Sequence, residues 1–117
     1  MQKISANQLI SVEVSAANDM PAEKTVFAAL GRGTTLRVKD ASMLSSPSLL
    51  AELTELPFKT YKEVSTLQGT GGAVQKAYGG IKSAGIGIPV RYKGCANEAV
   101  SLSDIKNTAD LLAYILK

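Results

Sequence analysis

The sequence contains no histidine, no tryptophan and a single cysteine, Cys95, among 117 residues. Without histidine it lacks the most common general base near neutral pH and the most common ligand of transition metals. The usual zinc sites and the Ser-His-Asp and Cys-His catalytic sets are therefore excluded. A lone cysteine cannot form an internal disulfide, which fits a reducing compartment. We therefore predict that the protein is not an enzyme and has no metal and no cofactor.

Long apolar runs are also missing. No stretch approaches the 18 or so residues that a membrane span needs, and the first residues lack the apolar core of a signal peptide. We expect a protein of the host-cell cytoplasm. Hydrophobic residues make up 45% and charged residues 20% of the chain, with a net charge of +3, a composition typical of a folded protein. The length favours a single domain over residues 1–117.

Alternation of apolar and polar residues predicts several strands. It is clearest over residues 9–15 and recurs over 34–40 and 86–93, while 25–30 is interpreted as a return strand. Residues 58–67 have strand composition because they are rich in Thr, Tyr and Val. Residues 73–84 fit a helix or a strand, and both interpretations stay open.

Two helices are predicted from their ends and apolar stripes. Ser46 and Pro47 suit a helix start, and Pro57 prevents continuation, so a short helix is expected over 47–56. Near the C-terminus, Ser101 to Asp104 resembles a capping box before an amphipathic helix. The predicted fold class is α+β, with an antiparallel sheet followed by a C-terminal amphipathic helix.

The segment Gly69-Thr70-Gly71-Gly72 invites comparison with a phosphate-binding loop. It lacks the Lys and Ser or Thr that follow the glycines of a Walker motif, and the glycine spacing of a dinucleotide loop. We interpret it as a flexible turn. Cys95 could be a reactive thiol beside Lys93, but we favour a small residue that is buried or at an interface.

The basic residues suggest one binding surface. If Leu36 and Ile86 face the core, alternation places the basic residues of the same strands on the opposite face of the sheet, where tyrosines interleave with them. Such a face is suited to single-stranded or hairpin nucleic acid, although an ordinary solvated face would look similar. The residues predicted to bind RNA are Arg37, Lys39, Lys59, Tyr61, Lys76, Tyr78 and Arg91.

The C-terminal part resembles the coat proteins of single-stranded RNA phages. The motif Gln75-Lys76-Ala77-Tyr78, followed by a strand, a turn and the helix to Lys117, is similar to the end of those proteins, and the likeness covers mainly residues 73–117. It implies a chain that dimerises through sheet edges and the terminal helix, closes into a shell and binds RNA on the sheet face lining the particle. Leu112 and Ile115 would then be buried between copies.

Three functions follow as hypotheses. The first is a self-assembling viral coat protein that forms homo-oligomers from a dimer and is found in the virion. The second is a small regulatory or inhibitory protein, encoded by a phage or plasmid, that binds a host protein or nucleic acid. The third is an enzyme using lysine or carboxylate chemistry, which the missing histidine disfavours.

Overall fold

The computed structural model describes residues 5–117 as a mixed five-stranded sheet with three helices. The strands are β1 (Gln8–Ala16), β2 (Thr34–Lys39), β3 (Thr60–Val64), β4 (Lys82–Arg91) and β5 (Ala99–Val100). The helices are α1 (Pro47–Thr54), α2 (Gly71–Ala77) and α3 (Leu102–Ile115). Within the described residues, no helix is both long enough and apolar enough to cross a membrane.

The α+β class and the C-terminal helix are confirmed, but the prediction of an antiparallel sheet is wrong. The strand order is β1-β4-β2-β3, with β5 added to β4. β1 pairs with β4 in parallel, and so does β2 with β3, whereas β2 and β5 run antiparallel to β4. Helix α1 lies between β2 and β3 in the chain, and such a crossover is what brings two consecutive strands into parallel register.

The expected return strand over 25–30 is not formed. Asn18 holds this segment as a loop instead: its side-chain amide donates to the Thr25 carbonyl at 2.8 Å, and its side-chain oxygen accepts from the Phe27 N–H at 2.8 Å. The Ala29 N–H donates to the Tyr61 hydroxyl at 3.1 Å. Side chains thus satisfy backbone groups that a strand ladder would otherwise pair.

The ambiguous residues 73–84 contain both structures. Helix α2 ends at Ala77, and strand β4 begins at Lys82. Between them Gly79 and Gly80 have positive φ angles of 66° and 88°, a backbone conformation that ends a helix and favours glycine. The predicted strand 58–67 is shorter than expected, because only Thr60–Val64 pairs with β2.

One face of the sheet carries the hydrophobic core. Helices α1 and α3 cover this face, and Leu36 of β2 lies beside Ile86 of β4. Leu112 and Ile115, which the coat-protein likeness placed between copies, pack against the core of their own chain. The buried core residues are Leu36, Leu49, Leu50, Leu53, Ala84, Ile86 and Leu111.

The opposite face is polar and is opened by two glycines of β4. Gly85 lies beside Arg37, and Gly87 beside Thr35. A Cβ atom at Gly87 would overlap Ser15 Oγ and Thr35 Oγ1, so glycine is what lets side chains of β1 and β2 meet across β4. At Gly85 the same atom would lie 3.0 Å from Arg37 Cβ, a much milder conflict.

We expect Gly87→Ala to lower the free energy of unfolding by about 1–3 kcal/mol, because the added methyl group has no room between two buried side chains. Gly85→Ala is the matched control on the same strand. Both substitutions reduce the backbone entropy of the unfolded chain equally, so a difference between them reports the steric conflict. Urea denaturation measures both. Equal effects of the two substitutions would contradict the steric role of Gly87.

Candidate functional site

The polar face of the sheet is organised around Arg37, which lies in the middle of β2 and is 5% exposed. Its Nη1 is 3.1 Å from Glu13 Oε2 and 3.6 Å from Asp40 Oδ2, and its Nη2 is 3.8 Å from Glu63 Oε1. Three carboxylates from β1, β3 and the turn after β2 therefore share one guanidinium. We call Arg37, Glu13, Asp40 and Glu63 the Arg37 cluster, and it carries an excess of negative charge.

Neutral side chains complete the layer beside the Arg37 cluster. Ser15 donates to Glu63 Oε2 at 2.6 Å, and its Oγ is 2.7 Å from Thr35 Oγ1. Arg37 Nη2 lies 3.4 Å from Ser15 Oγ. Ser15 and Thr35 are completely buried, and the bonds between them are possible only because Gly87 leaves the intervening space empty.

Asp40 organises the turn that follows β2. Its Oδ1 accepts hydrogen bonds from the Ser42 N–H at 2.7 Å, the Ser42 hydroxyl at 3.0 Å and the Met43 N–H at 2.8 Å. Burial raises the pKa of Asp40, but the Ser42 and Met43 hydrogen bonds and the charge of Arg37 outweigh it and lower the pKa below its ordinary value. Asp40 is therefore held ionised.

Glu13 ties the glycine-rich segment to the sheet. Its Oε1 accepts from the Thr70 N–H at 2.9 Å and from the Thr70 hydroxyl at 3.1 Å. Burial raises the pKa of Glu13, but the hydrogen bonds from Thr70 and the charge of Arg37 lower it by more. The pKa of Glu13 therefore lies below its ordinary value. A Cβ atom at Gly69 would lie 2.5 Å from Asp40 Oδ2 and 2.6 Å from Glu13 Oε2. A larger residue at position 69 would displace these carboxylates from their present positions.

The interpretation of residues 69–72 as a flexible turn is therefore wrong. Gly71 and Gly72 are buried at the start of α2, where added Cβ atoms would collide with Met43 and with Ser42. The Glu13 carboxylate of the chain itself accepts the hydrogen bonds of the Thr70 N–H and hydroxyl in this segment. The glycines serve close packing of α2 on the sheet.

Access to solvent differs among the three carboxylates of the Arg37 cluster. The side chain of Glu13 is 15% exposed, compared with 5% for Glu63 and none for Asp40. Over residues 5–117 no group of three His, Cys, Asp or Glu side chains is arranged to hold a metal ion. Chemically, the cluster offers a negatively charged surface whose accessible part is Glu13.

Three of the seven residues predicted to bind RNA are committed to contacts within the chain. Arg37 is buried in its cluster rather than exposed. Arg91 forms a two-bond ion pair with Asp19, with Nε–Oδ1 and Nη2–Oδ2 distances of 3.1 and 2.7 Å. The Tyr61 hydroxyl binds the 25–30 loop, and the Arg32 guanidinium lies 4.5 Å from the centre of its ring.

The other four residues of that set lie on different elements. Lys39 is exposed at the end of β2, and Lys59 is exposed just before β3. Lys76 is exposed in the last turn of α2, and Tyr78 is half-buried directly after it. Nucleic-acid binding by these residues stays a prediction. Cys95 is exposed and therefore not buried within the chain, whereas its position at an interface stays a prediction.

The family model of the M42 glutamyl aminopeptidases matches residues 1–111. The chain belongs to the M42 glutamyl aminopeptidase family. A curated protein of Acetivibrio thermocellus named "Putative aminopeptidase" is 33% identical over 110 residues, which cover 88% of this chain and 33% of that protein.

Solved structures of aminopeptidases share the fold of this M42 chain. An aminopeptidase from Desulfurococcus kamchatkensis superposes with a TM-score of 0.82 at 22% identity, covering 88% of this chain and 32% of that one. A TET aminopeptidase from a Thaumarchaeota archaeon gives 0.79 at 25% identity, covering 92% and 32%. The TET1 peptidase of Pyrococcus horikoshii gives 0.70 at 16% identity, covering 91% and 32%. The chain spans about a third of the length of these relatives.

Membership in the M42 family overturns the predicted functions. The coat-protein hypothesis, with its virion location, is wrong, and so are the regulatory hypothesis and the prediction that the protein is not an enzyme. The motif Gln75-Lys76-Ala77-Tyr78, which carried the likeness, lies at the end of helix α2 and not on a strand. An order of sheet and then helix is shared by many unrelated folds.

Sequence reasoning missed the acidic members of the Arg37 cluster. A signal was present in β1, where Ser11, Glu13 and Ser15 alternate with apolar residues. In the structure the polar side of this strand is the more buried one: Ser11 and Ser15 are buried, whereas Val12 and Val14 are exposed. A glutamate alternating with small hydroxyl residues in a strand is thus a sign of a buried polar layer.

We expect Arg37→Met to lower the free energy of unfolding by about 3–5 kcal/mol, because removing one partner of a buried ion pair leaves the carboxylates uncompensated. Lys39→Met, at an exposed position of the same strand, should change it by less than about 0.5 kcal/mol. Chemical denaturation of both variants tests this. Similar values for the two would show that Arg37 does not hold the polar face together.

We also expect the chain to lose stability in acid. The pKa values of Glu13 and Asp40 lie below their ordinary values of 4.5 and 3.8. Between about pH 5 and pH 3 the unfolded chain therefore binds protons that the folded chain does not, and the free energy of unfolding falls as pH falls. Urea midpoints at pH 7, 5, 4 and 3 measure this fall. Asp40→Asn should flatten the pH dependence, and an unchanged slope would contradict the assignment.

Proposed function

We propose that this chain forms one third of an M42-type aminopeptidase unit, which removes residues from the amino terminus of peptides. The observation that carries the proposal is the match of the family model to residues 1–111. The agreement in fold with aminopeptidase structures over about nine-tenths of the chain supports it. Because the chain spans about a third of these proteins, we assign the remaining parts of the active site to the other two thirds of the unit.

The role proposed for this chain is to hold Glu13 at the substrate. An aminopeptidase acts on a peptide whose free amino terminus is a positively charged ammonium group, and carboxylates are strong partners for such a group. The Arg37 cluster has an excess of negative charge, and Glu13 is its most accessible carboxylate. Glu13 also lies on β1, at the border of the sheet.

The groups that hydrolyse the peptide bond are assigned to the rest of the unit. Hydrolysis needs an activated nucleophile, a general base or a metal-bound water. Like Glu13, the carboxylates of Asp40 and Glu63 are engaged by Arg37 and by hydroxyl or N–H donors, but unlike Glu13 they are almost completely buried. They are suited to positioning Glu13 and the 69–72 segment rather than to proton transfer.

We further propose that the unit forms homo-oligomers. The Pyrococcus horikoshii TET1 peptidase is described as assembling into a tetrahedron or a large octahedral shell, and a related structure is described as a dodecamer. Self-association was also an expectation from the sequence. A dimer as the building unit, as well as RNA as a partner, stays a prediction without support from these neighbours.

The function is tested in a joined polypeptide, in which this chain replaces the 110 matched residues of the Acetivibrio thermocellus protein. We expect it to release the chromophore from aminoacyl-p-nitroanilides, including the glutamyl derivative, whereas the isolated chain should not. The unaltered Acetivibrio protein is assayed in parallel. A joined polypeptide that folds but shows no hydrolysis where the unaltered protein does would refute the proposal.

Glu13→Gln in the joined polypeptide tests the assignment of this residue. We expect kcat/KM to fall about tenfold or more, because a charge-assisted hydrogen bond contributes about 1.5–3 kcal/mol. Glu63→Gln is the matched control, since it also removes one carboxylate from the Arg37 cluster but at a buried position. If both variants lose activity equally, the effect is structural and Glu13 does not contact the substrate.

A further inference from the structure

Thr70 forms two hydrogen bonds to a single oxygen atom of Glu13. Its backbone N–H and its hydroxyl both donate to Glu13 Oε1, at 2.9 and 3.1 Å. The other oxygen, Oε2, accepts from Arg37 Nη1 at 3.1 Å. A carboxylate has about four acceptor positions, two on each oxygen. Thr70 therefore fills Oε1, and the acceptor position that these three bonds leave is on Oε2.

The hydroxyl of Thr70 serves this contact instead of its own helix. Thr70 lies directly before α2, at the position where a threonine side chain commonly binds the first N–H groups of a helix. Within the described part of the chain its side chain forms no such cap bond and reaches Glu13 instead, 57 positions away in the sequence. The contact with Glu13 thus replaces the one that would stabilise α2 itself.

Close packing fixes the backbone that carries Thr70. Gly71 and Gly72, which follow it, are buried against the sheet and the turn after β2. Cβ atoms at these two positions would lie 2.7 Å from Met43 Sδ and 2.5 Å from the Ser42 carbonyl oxygen. Because the segment cannot shift without losing these contacts, the N–H and hydroxyl of Thr70 are held in a constant direction towards the carboxylate.

The bonds from Thr70 lie on the accessible side of the Arg37 cluster. Thr70 is exposed, and the Glu13 side chain, 15% exposed, is the carboxylate of the cluster that solvent reaches most easily. Hydrogen bonds at such a position add little to stability, because water can replace either partner. Their main effect is therefore on the direction in which the accessible carboxylate points.

We propose that Thr70 is a positioning residue for Glu13: it holds Oε1, so that Oε2 offers its remaining acceptor position to the ammonium group of the peptide substrate. This inference rests on the proposed function, in which Glu13 binds that ammonium group. An ammonium group has three N–H donors, so one bond goes to Glu13 and the other acceptors belong to the other two thirds of the unit. A carboxylate that is already oriented also loses less rotamer freedom when the substrate binds.

The effect is measured in the joined polypeptide with Thr70→Val, which removes the hydroxyl but keeps the shape of the side chain. We expect KM for aminoacyl-p-nitroanilides to rise about three- to tenfold and kcat to change by less than about twofold, because the loss is the cost of ordering Glu13. Thr70→Ser retains the hydroxyl and should restore KM. Thr66→Val is the matched control, since it makes the same substitution at an exposed position earlier in the same loop and should leave KM unchanged.

Two competitive inhibitors separate positioning of Glu13 from a general distortion of the site. The first is the amino alcohol that corresponds to the best substrate, such as leucinol for a leucyl substrate, and the second is the same alcohol without its amino group. We expect Thr70→Val to weaken inhibition by the first about three- to tenfold and to leave inhibition by the second unchanged, because only an ammonium group contacts Glu13. Equal losses for the two compounds would overturn the proposal.

A measurement on the isolated chain does not depend on hydrolysis. Burial raises the pKa of Glu13, and the backbone and side-chain hydrogen bonds of Thr70 lower it together with Arg37. Thr70→Val removes one of the lowering bonds and should raise the pKa of Glu13, whereas Thr70→Ser should not. NMR titration of the Glu13 carboxyl carbon measures both, and an unchanged pKa in Thr70→Val would overturn the proposal. An inactive joined polypeptide with the expected shift in the isolated chain would refute the proposed function, while Thr70 would still be shown to hold Glu13.

Discussion

The guanidinium of Arg37 is the group on which the polar side of this sheet depends. Glu13, Asp40 and Glu63 come from three separate segments, and their mutual repulsion is offset only where one cation lies among them. The glycines make this arrangement possible, because Gly87 leaves space for the Ser15 and Thr35 hydroxyls and Gly69 lets the loop approach the carboxylates. The polar face of the sheet is therefore stabilised by the charge of Arg37, by side-chain hydrogen bonds and by the space that the glycines leave.

The two faces of the sheet have different tasks. The face covered by α1 and α3 supplies the hydrophobic core through Leu36, Ile86 and Leu111, and this burial provides most of the stability. The polar face positions Glu13 and the start of α2. Strand β1 takes part in both, since its valines extend the core face and its glutamate belongs to the Arg37 cluster. The chain spans about a third of the length of its M42 relatives, so this polar layer corresponds to one part of those larger proteins.

The sequence alone predicted the positions of helices α1 and α3, but it did not predict the direction in which the strands pair or the function of the chain. Pro47 and the apolar stripe after Ser101 correctly indicated α1 and α3, because a proline start and the helical period are local properties. The capping box expected at Ser101 to Asp104 is not formed, since Ser101 makes no side-chain cap hydrogen bond and Asp104 accepts from the Gly31 and Gly33 N–H groups instead. Strand direction could not be predicted, since alternation has the same period in parallel and antiparallel strands. The face of Arg37 was predicted correctly, but its burial was not, because two of its three carboxylate partners, Glu13 and Glu63, are distant in sequence. No motif within the chain pointed to a peptidase, and the phage likeness came from an element order that many folds share.

The pairing of β1 with β4 has a consequence for how the chain folds. These strands lie near opposite ends of the chain, and their contact is the most extensive one between elements of the sheet. Closing so large a loop costs entropy before the contact contributes stability, and topologies rich in such contacts fold slowly. During synthesis β1 emerges before β4 and lacks this neighbour until β4 has left the ribosome. Until then both edges of β1 are unpaired and Val12 and Val14 are exposed, which makes β1 the strand most open to pairing with another chain.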